Sequence, residues 1–156
     1  MNAPFFCMVN YWIFVSQPFS DFNRGNVKDI LLKSKSEKKW PIGKNTLRKK
    51  LLSIGDKVLF YEAGDEGKKF FGSGDLFSSL QKDVEDNSEF VTIRGFEFWD
   101  PPIPIKRILS KLSFIKNKKY WGIYFQGGIV RLPETDYSLL LNLYKKKQDN
   151  KKLKLS

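Results

Sequence analysis

Residues 40–61 read WPIGKNTLRKKLLSIGDKVLFY, and this stretch decides how the rest of the sequence is interpreted. It starts with Trp40 after a lysine-rich segment, continues as a short helical pattern with a glycine-aspartate turn, and ends in an apolar strand, Val58–Tyr61. A flat aromatic ring, the amide of Asn45 and several cations therefore lie close together in sequence. These groups suit a nucleobase with its phosphates. The stretch predicts the rim of a nucleic-acid-binding site.

The charge of the chain favours an anionic partner. A formal charge of +11 and a pI of about 9.7 indicate nucleic acid first and an acidic membrane surface second, the alternative being a lysine-rich protein that is merely soluble. Eight basic residues and one acid lie between Lys33 and Lys50, and six basic residues with no acid lie between Lys106 and Lys119. This separation predicts a basic face.

Several classes of site are excluded by residue types that are rare or absent. The 156 residues, enough for one domain, contain no histidine, which removes histidine-based catalysis and metal ligation. Cys7 is the single cysteine, so neither an internal disulfide nor a cysteine-built zinc site is expected. No cofactor is predicted. With no apolar run of about 18 residues and no signal-peptide pattern, the expected location is cytoplasmic, away from the membrane.

Strands dominate the pattern, with short helices between them. The predicted strands are Tyr11–Gln17, Val58–Glu62, Lys69–Gly74, Glu89–Phe98 and one or two short strands within Tyr120–Arg131. The predicted helices are Val27–Lys33, a helix capped by Asn45 that ends near Gly55, Ile105–Leu112, and a last helix opened by Pro133 with an apolar stripe that reaches Tyr144. Because strands and helices do not alternate strictly, the expected class is α+β, a small, mixed, curled β-barrel with short flanking helices.

Four motifs resemble those of the EVE domain in the PUA-like superfamily. They are YWIFVSQP at 11–18, the W…N pair Trp40 and Asn45, FFGSG at 70–74, and the closing run KLSFIKNKKYW…VRLPETDY at 111–137. A fifth matching element is the helix and Gly-Asp turn before a strand, Leu47–Tyr61. The resemblance covers residues 9–144. Residues 1–8 are expected to be an N-terminal extension, and residues 145–156 a basic, disordered tail.

The resemblance implies a PUA-like barrel that reads modified bases. EVE domains are similar to YTH domains, which enclose a methylated base in an aromatic cage, and EVE modules sense modified DNA in Mcr-type restriction systems. In this sequence Trp40 matches one cage wall, and the second wall is left open among Phe71, Trp121, Trp99 and Tyr124. The base-binding candidates implied are Ser16, Gln17, Trp40, Asn45, Tyr61, Phe71 and Trp121.

Each candidate has a structural alternative. Trp40 is either a stacking surface or a structural side chain under a loop, and Asn45 either bonds a base or phosphate or caps the helix that follows. The basic residues either contact phosphates or form a solvated face. The phosphate-contacting candidates are Lys39, Lys44, Arg48, Lys116, Lys118 and Lys119.

The function predicted is a non-catalytic module that recognises a modified, for example methylated, or flipped base in DNA or RNA. A nuclease or restriction subunit encoded separately is a candidate partner. One alternative is a PUA-like enzyme, related to ASCH domains, that acts on a modified nucleoside with residues such as Lys44, Thr46 and Glu62. Another is an adaptor that binds a nucleotide or a protein. The sequence leaves open DNA versus RNA, the modification and the oligomeric state.

Overall fold

The computed structural model describes residues 8–16, 37–64 and 67–155. The predicted helix Val27–Lys33 and the candidate Gln17 lie outside these residues. The strands are β1 Tyr11–Ser16, β2 Glu37–Ile42, β3 Lys57–Glu62, β4 Lys69–Leu76, β5 Gln81–Lys82, β6 Glu89–Pro104 and β7 Ile129–Leu132. The α-helices are α1 Ile105–Ile108 and α2 Glu134–Leu155, and single 3₁₀ turns cover Lys49–Leu51, Leu109–Lys111 and Trp121–Phe125.

The strands form one mixed sheet in the order β2-β6-β4-β3-β1-β7, and β5 pairs with β6. β1 runs parallel to β3, and the other pairs are antiparallel. The sheet curls so far that Trp40 of β2 and Ile129 of β7, from its two ends, line one cavity. β2 and β7 share no hydrogen-bonded ladder in the described residues, so the barrel is split along this seam. The α+β, curled mixed barrel expected from the sequence is confirmed.

The two faces of the sheet bury two separate aromatic clusters. Neighbouring residues of a strand point to opposite faces, and β3 divides its aromatic rings accordingly. Phe60 joins the inner cluster with Trp12 and Phe14, whereas Tyr61 joins the outer cluster with Leu140 of α2. Each fully buried ring or aliphatic side chain stabilises the fold by about 1.5–3 kcal/mol. Both faces of β3 are therefore core, which explains its continuous apolar run.

Glycines let β4 approach its neighbours closely, as the sequence predicted. A β-carbon at Gly72 would lie 2.9 Å from the carbonyl oxygen of Glu97, and one at Gly74 would lie 2.8 Å from a methyl carbon of Ile93. The register between β4 and β6 shifts on either side of this region. A side chain at Gly72 would force the backbones of β4 and β6 apart.

The predicted helix between Asn45 and Gly55 is wrong. Only the 3₁₀ turn Lys49–Leu51 forms, and Asn45 caps no helix. Leu47 and Leu51 are 72% and 54% exposed, and of the predicted apolar face only Leu52 is buried. A short helix gains most of its stability from packing an apolar face, and this segment packs too little of one.

Two further segments differ from the predictions in type or length. Of the one or two short strands expected within Tyr120–Arg131, one forms as β7, and the first half of the segment is the 3₁₀ turn Trp121–Phe125, in which Trp121 and Phe125 pack edge to face at 6.0 Å between ring centroids. The predicted helix Ile105–Leu112 is the single turn α1 followed by the 3₁₀ turn Leu109–Lys111.

The sequence predicted that the last helix would end near Tyr144, but the helix is longer. α2 continues to Leu155. Its second half, rich in lysine, has high helix propensity, and it also contacts the sheet. The Gln148 side-chain amide donates a hydrogen bond of 2.6 Å to the Asp100 carbonyl oxygen, and Lys151 Nζ lies 3.9 Å from the Asp100 carboxylate. No helix in the described part of the chain has the length and hydropathy needed to cross a membrane.

Candidate nucleic-acid interface

A cavity of about 100 Å³, here called the slot, opens at the seam of the barrel. It lies between the end of β1, β2 with the turn after it, and the start of β7. Its lining residues are Val15, Trp40, Pro41, Ile42, Gly43, Thr46, Gly128 and Ile129. The slot combines an indole ring, aliphatic side chains, one hydroxyl and two glycines, which is the mixture expected of a small apolar site with few polar contacts.

Trp40 is a core side chain, the structural alternative stated from the sequence, and it lies at the edge of the slot. Its side chain is 6% exposed, with ring centroids 4.9 Å from Phe60 and 6.0 Å from Phe14, so it belongs to the inner core cluster. It also borders the slot. The packed aromatic rings hold the indole in one orientation beside the cavity.

Thr46 and two glycines shape the polar end of the slot. A β-carbon at Gly43 would lie 3.0 Å from Thr46 Oγ1, and one at Gly128 would lie 3.8 Å from the Thr46 methyl group. Gly128 has φ +82°, in the region that favours glycine, and its carbonyl oxygen accepts a 2.8 Å hydrogen bond from the Val15 N–H. Sequence reasoning missed Gly128 as a site residue, although the Gly127-Gly128 pair was a visible signal of close backbone approach.

The remaining base-binding candidates are spread over both faces of the sheet. Ser16 is buried, and its hydroxyl donates a 3.4 Å hydrogen bond to the Tyr61 carbonyl oxygen. The Tyr61 ring lies in the outer cluster, stacked 4.2 Å from Phe125, and burial raises the pKa of its phenol. Phe71 lies in the inner cluster, 6.0 Å from Phe60. The slot thus brings together Trp40 and its neighbours, but not Tyr61 or Phe71.

Trp121 and Asn45 lie nearer the surface. Trp121 is half-buried and packs against the outer cluster, and it does not line the slot. Asn45 is exposed in the turn closed by the hydrogen bond from the Thr46 N–H to the Gly43 carbonyl oxygen, 3.1 Å. Its amide therefore stands one residue from the slot without serving as a helix cap.

The basic candidates of the first half of the chain are exposed, and none of them lines the slot. Lys39 Nζ lies 4.6 Å above the Phe90 ring, and Arg48 is exposed after the turn that carries Thr46. Lys44 is exposed too, and its carbonyl oxygen accepts a 2.6 Å hydrogen bond from Lys49 Nζ. Lys44 and Arg48 each line another pocket, so these exposed cations lie near the slot along the chain without lining it.

The second basic set lies on a loop that α2 fixes. Lys116, Lys118 and Lys119 are exposed, and Lys118 Nζ donates a hydrogen bond to the Leu112 carbonyl oxygen. The buried carboxylate of Asp136 accepts hydrogen bonds from the N–H groups of Ser113 and Phe114, at 3.0 and 2.9 Å, and from the Ser113 hydroxyl. Both halves of the closing sequence motif meet in this contact.

Metal chemistry finds no support in the described residues, where no group of three or more cysteine, aspartate or glutamate side chains is placed to hold an ion. The slot instead has one aromatic residue, Trp40, among its lining residues.

A family model supplies the observation that classifies the chain, because the EVE domain model matches residues 10–143. The chain belongs to the EVE domain family. A UPF0310 protein of Pyrococcus horikoshii is 32% identical over 157 residues, a match that covers 86% of this chain and 99% of the relative. The resemblance to EVE domains stated from the sequence motifs is confirmed.

Solved structures share the fold. Human THYN1, determined in complex with DNA containing 5-methylcytosine, superposes with a TM-score of 0.65 at 16% identity and covers 86% of this chain and 97% of that chain. The N-terminal domain of McrB from Staphylothermus marinus has a TM-score of 0.50 at 12% identity and covers 85% of this chain and 93% of that chain. At these identities the likeness shows the fold, and the PUA-like barrel expected from the motifs is confirmed.

Proposed function

We propose that this EVE domain is a non-catalytic module that binds DNA or RNA carrying a modified, for example methylated, or flipped base, and that the base enters the slot. The observation that carries the proposal is the Trp40-bordered cavity at the seam of a barrel. Human THYN1, which has the same fold, was solved with 5-methylcytosine-containing DNA. The charge of +11 adds support, because a nucleic acid is polyanionic.

The slot can make two contributions to the free energy of binding a methylated base, stacking and burial of the methyl group. Stacking on an aromatic side chain contributes about 1–3 kcal/mol per base, and Trp40 is already fixed by Phe14 and Phe60, so little ordering is needed on binding. A methyl group buried against Ile42 or Ile129 adds about 0.8 kcal/mol, or about fourfold in affinity. The slot can therefore favour a methylated base modestly by burial alone.

Hydrogen bonds to the base edge come from a small set of groups. Thr46 offers a hydroxyl in the slot, and the turn before it offers backbone groups. Asn45 and Ser16 remain candidates, as does Gln17, which follows β1. Extruding a base from a duplex costs a few kcal/mol, so a single strand or a distorted duplex should bind more tightly than intact duplex.

The cations around the slot supply affinity that does not depend on sequence. Lys39, Lys44 and Arg48 stand on the β2 side, and the Lys116–Lys119 loop extends the positive surface. Contacts to phosphates position the strand and make binding sensitive to salt. A nuclease or restriction subunit encoded separately would supply any cleavage, a partnership suggested by the McrB domain among the structural neighbours.

The enzyme alternative has less geometry behind it. Of the three residues that it invoked, Thr46 lines the slot, Lys44 lines a different pocket, and Glu62 is buried at the end of β3. Incubation with methylated and acetylated nucleosides, followed by chromatography, tests it directly. A new product formed in proportion to protein would overturn the non-catalytic assignment.

The binding test is fluorescence anisotropy with single-stranded oligonucleotides that differ only in one base modification. Because truncating a core tryptophan to alanine costs about 3–5 kcal/mol of stability, Trp40→Phe is the better variant, and Thr46→Val removes the slot hydroxyl. Trp99→Phe is the matched control, since Trp99 is equally buried but lies in the outer cluster. We expect the slot variants, and not the control, to lower the ratio of affinities for modified and unmodified strands. A wild-type ratio of one for every modification in a DNA and RNA panel would refute the proposal.

A further inference from the structure

We infer that a groove next to the slot binds the nucleotide that flanks the recognised base on the same strand, its phosphate between Arg48 and Arg131 and its base on the Tyr124 ring. The inference rests on the proposed function and extends it from one base to a dinucleotide. The groove has a volume of about 330 Å³, within the range of small-ligand sites. Phe114 and Gln126 also line it, and none of its lining residues is acidic.

Arg48 stands in the groove in an unusual backbone conformation. Its φ is +66°, in the left-handed region that non-glycine residues rarely adopt, and the side chain is exposed. Such conformations concentrate at ligand sites, where the position of a side chain matters more than local backbone preference. A guanidinium fork is the group best matched to a phosphate.

Arg131 is held in place with donors to spare. It lies on β7, where Nη2 donates a 2.6 Å hydrogen bond to Asn10 Oδ1 and the guanidinium carbon lies 5.9 Å from the Trp12 ring. A guanidinium has five N–H donors, and this contact uses one of them. A pre-positioned cation on the second wall of the groove gives a phosphate a second partner at little entropic cost.

The aromatic wall is also fixed. The rings of Phe114 and Tyr124 pack edge to face at 6.3 Å, and the Tyr124 hydroxyl accepts a 3.1 Å hydrogen bond from the Asn117 N–H. Tyr124 is half-buried, so part of its ring faces solvent in the groove. A rigid, partly exposed ring stacks any of the four bases, which suits a flanking position of variable sequence.

The groove and the slot are continuous along the chain at three places. Thr46, Gly128 and Ile129 line the slot, and the residues two positions from each, Arg48, Gln126 and Arg131, line the groove. Two residues span at most about 7 Å, so the two sites are neighbours, although they have no lining residue in common. Neighbouring nucleotides of one strand therefore reach both sites together.

The test uses Arg48→Gly, with Arg48→Gln as the second variant and Lys50→Gln as the charge control. Glycine adopts the left-handed conformation without strain, so Arg48→Gly should keep or raise the thermal midpoint while it removes the guanidinium. Lys50 is exposed two residues away and does not line the groove. Anisotropy is measured with five-nucleotide single strands that carry 5-methylcytosine or cytosine at the first, central or last position.

We expect both Arg48 variants to weaken binding of the central-position strands about tenfold, equally for methylated and unmodified strands, and Lys50→Gln to weaken it less than threefold. The slope of log affinity against log salt should fall by about 0.7, one phosphate contact on a single strand. With the modified base at one end of the strand, the Arg48 variants should lose as much affinity as they do for the central-position strand. With the modified base at the other end, no flanking nucleotide reaches the groove, and the Arg48 variants should bind as tightly as wild type. Equal losses for Arg48→Gly and Lys50→Gln, or an Arg48 effect that persists at both ends, would overturn the groove assignment. A wild-type protein that distinguishes no modification in the DNA and RNA panel, yet loses tenfold on both strands in Arg48→Gly, would refute the proposed function and leave the groove standing.

Discussion

The buried carboxylate of Asp56 ties the first strand of the barrel to the turn before β3, and its replacement by asparagine should destabilise the fold measurably. Asp56 is 2% exposed. Its Oδ2 accepts hydrogen bonds from the Trp12 indole N–H at 2.8 Å and the Ser53 N–H at 3.0 Å, and its Oδ1 accepts one from the Asn10 N–H at 3.1 Å. Three donors converge on a single side chain, and two of them belong to the start of the chain.

The magnitude follows from what asparagine can replace. An amide oriented with its oxygen at the Oδ2 position keeps Trp12 and Ser53 as neutral partners, but then its NH₂ group faces the Asn10 N–H. One bond to a charged group, about 1.5–3 kcal/mol, is lost and two are weakened. We expect Asp56→Asn to lower the free energy of unfolding by about 2–3 kcal/mol, or about 5–10 °C in the thermal midpoint.

Circular dichroism melts measure this directly, and Asp149→Asn is the matched control because Asp149 is exposed on α2. Amide NMR adds a local readout, since the Trp12 indole proton should shift and exchange faster with solvent in Asp56→Asn. Surface substitutions usually change the thermal midpoint by about 1 °C or less. A thermal midpoint of Asp56→Asn that lies within about 1 °C of both wild type and the control would therefore contradict the reasoning. An unchanged indole resonance would show that the hydrogen bond does not form in solution.

Two further changes test the contact between Lys49 and Glu89 and the close packing of β4 against β6. The Lys49 ammonium group donates a hydrogen bond to the Glu89 carboxylate and thereby lowers the pKa of that carboxyl group. Lys49→Met should therefore speed amide exchange across residues 44–51 at neutral pH. This difference from wild type should shrink as the pH falls through the lowered pKa, to the part that comes from the hydrogen bond to the Lys44 carbonyl oxygen. A difference that is the same in acid as at neutral pH would contradict the assignment. Gly72→Ala places a methyl group 2.9 Å from the Glu97 carbonyl oxygen and should cost about 1–3 kcal/mol in a denaturant titration, whereas Gly122→Ala meets open space and should cost less.

Strands could be predicted from the sequence where the hydrophobic pattern and the residue types both indicated a strand. β1 and β3 are runs of β-branched and aromatic residues, so their existence followed from local preference. β2 could not be predicted in this way, because it contains Pro41 and several lysines. Among the β2 side chains that the structure describes, Trp40 and Ile42 are the buried ones. The segment Leu47–Leu52 shows the reverse failure, since its leucines have helical spacing but only Leu52 is buried, and Leu47 and Leu51 are exposed.

The candidate site was harder to predict because it depends on closure of the sheet. Tyr61 and Phe60 are neighbours in sequence, and only the face that each side chain takes decides which lies near Trp40. Thr46 and Gly128 meet across the slot from positions more than eighty residues apart, and no local pattern encodes that meeting. Motif resemblance found Trp40 because it carries information about the assembled fold that periodicity lacks.

The barrel is open along the seam between β2 and β7. The slot lies in this opening, with Trp40 of β2 on one side and Ile129 of β7 on the other. A base held there would connect β2 and β7, which share no hydrogen-bonded ladder within residues 37–64 and 67–155, so binding would also close the sheet. At a concentration one hundred times its dissociation constant, such a ligand would add about 2.7 kcal/mol to the free energy of unfolding. Amide protection gained in β2 and β7 together would show that the bound base stabilises both strands at once.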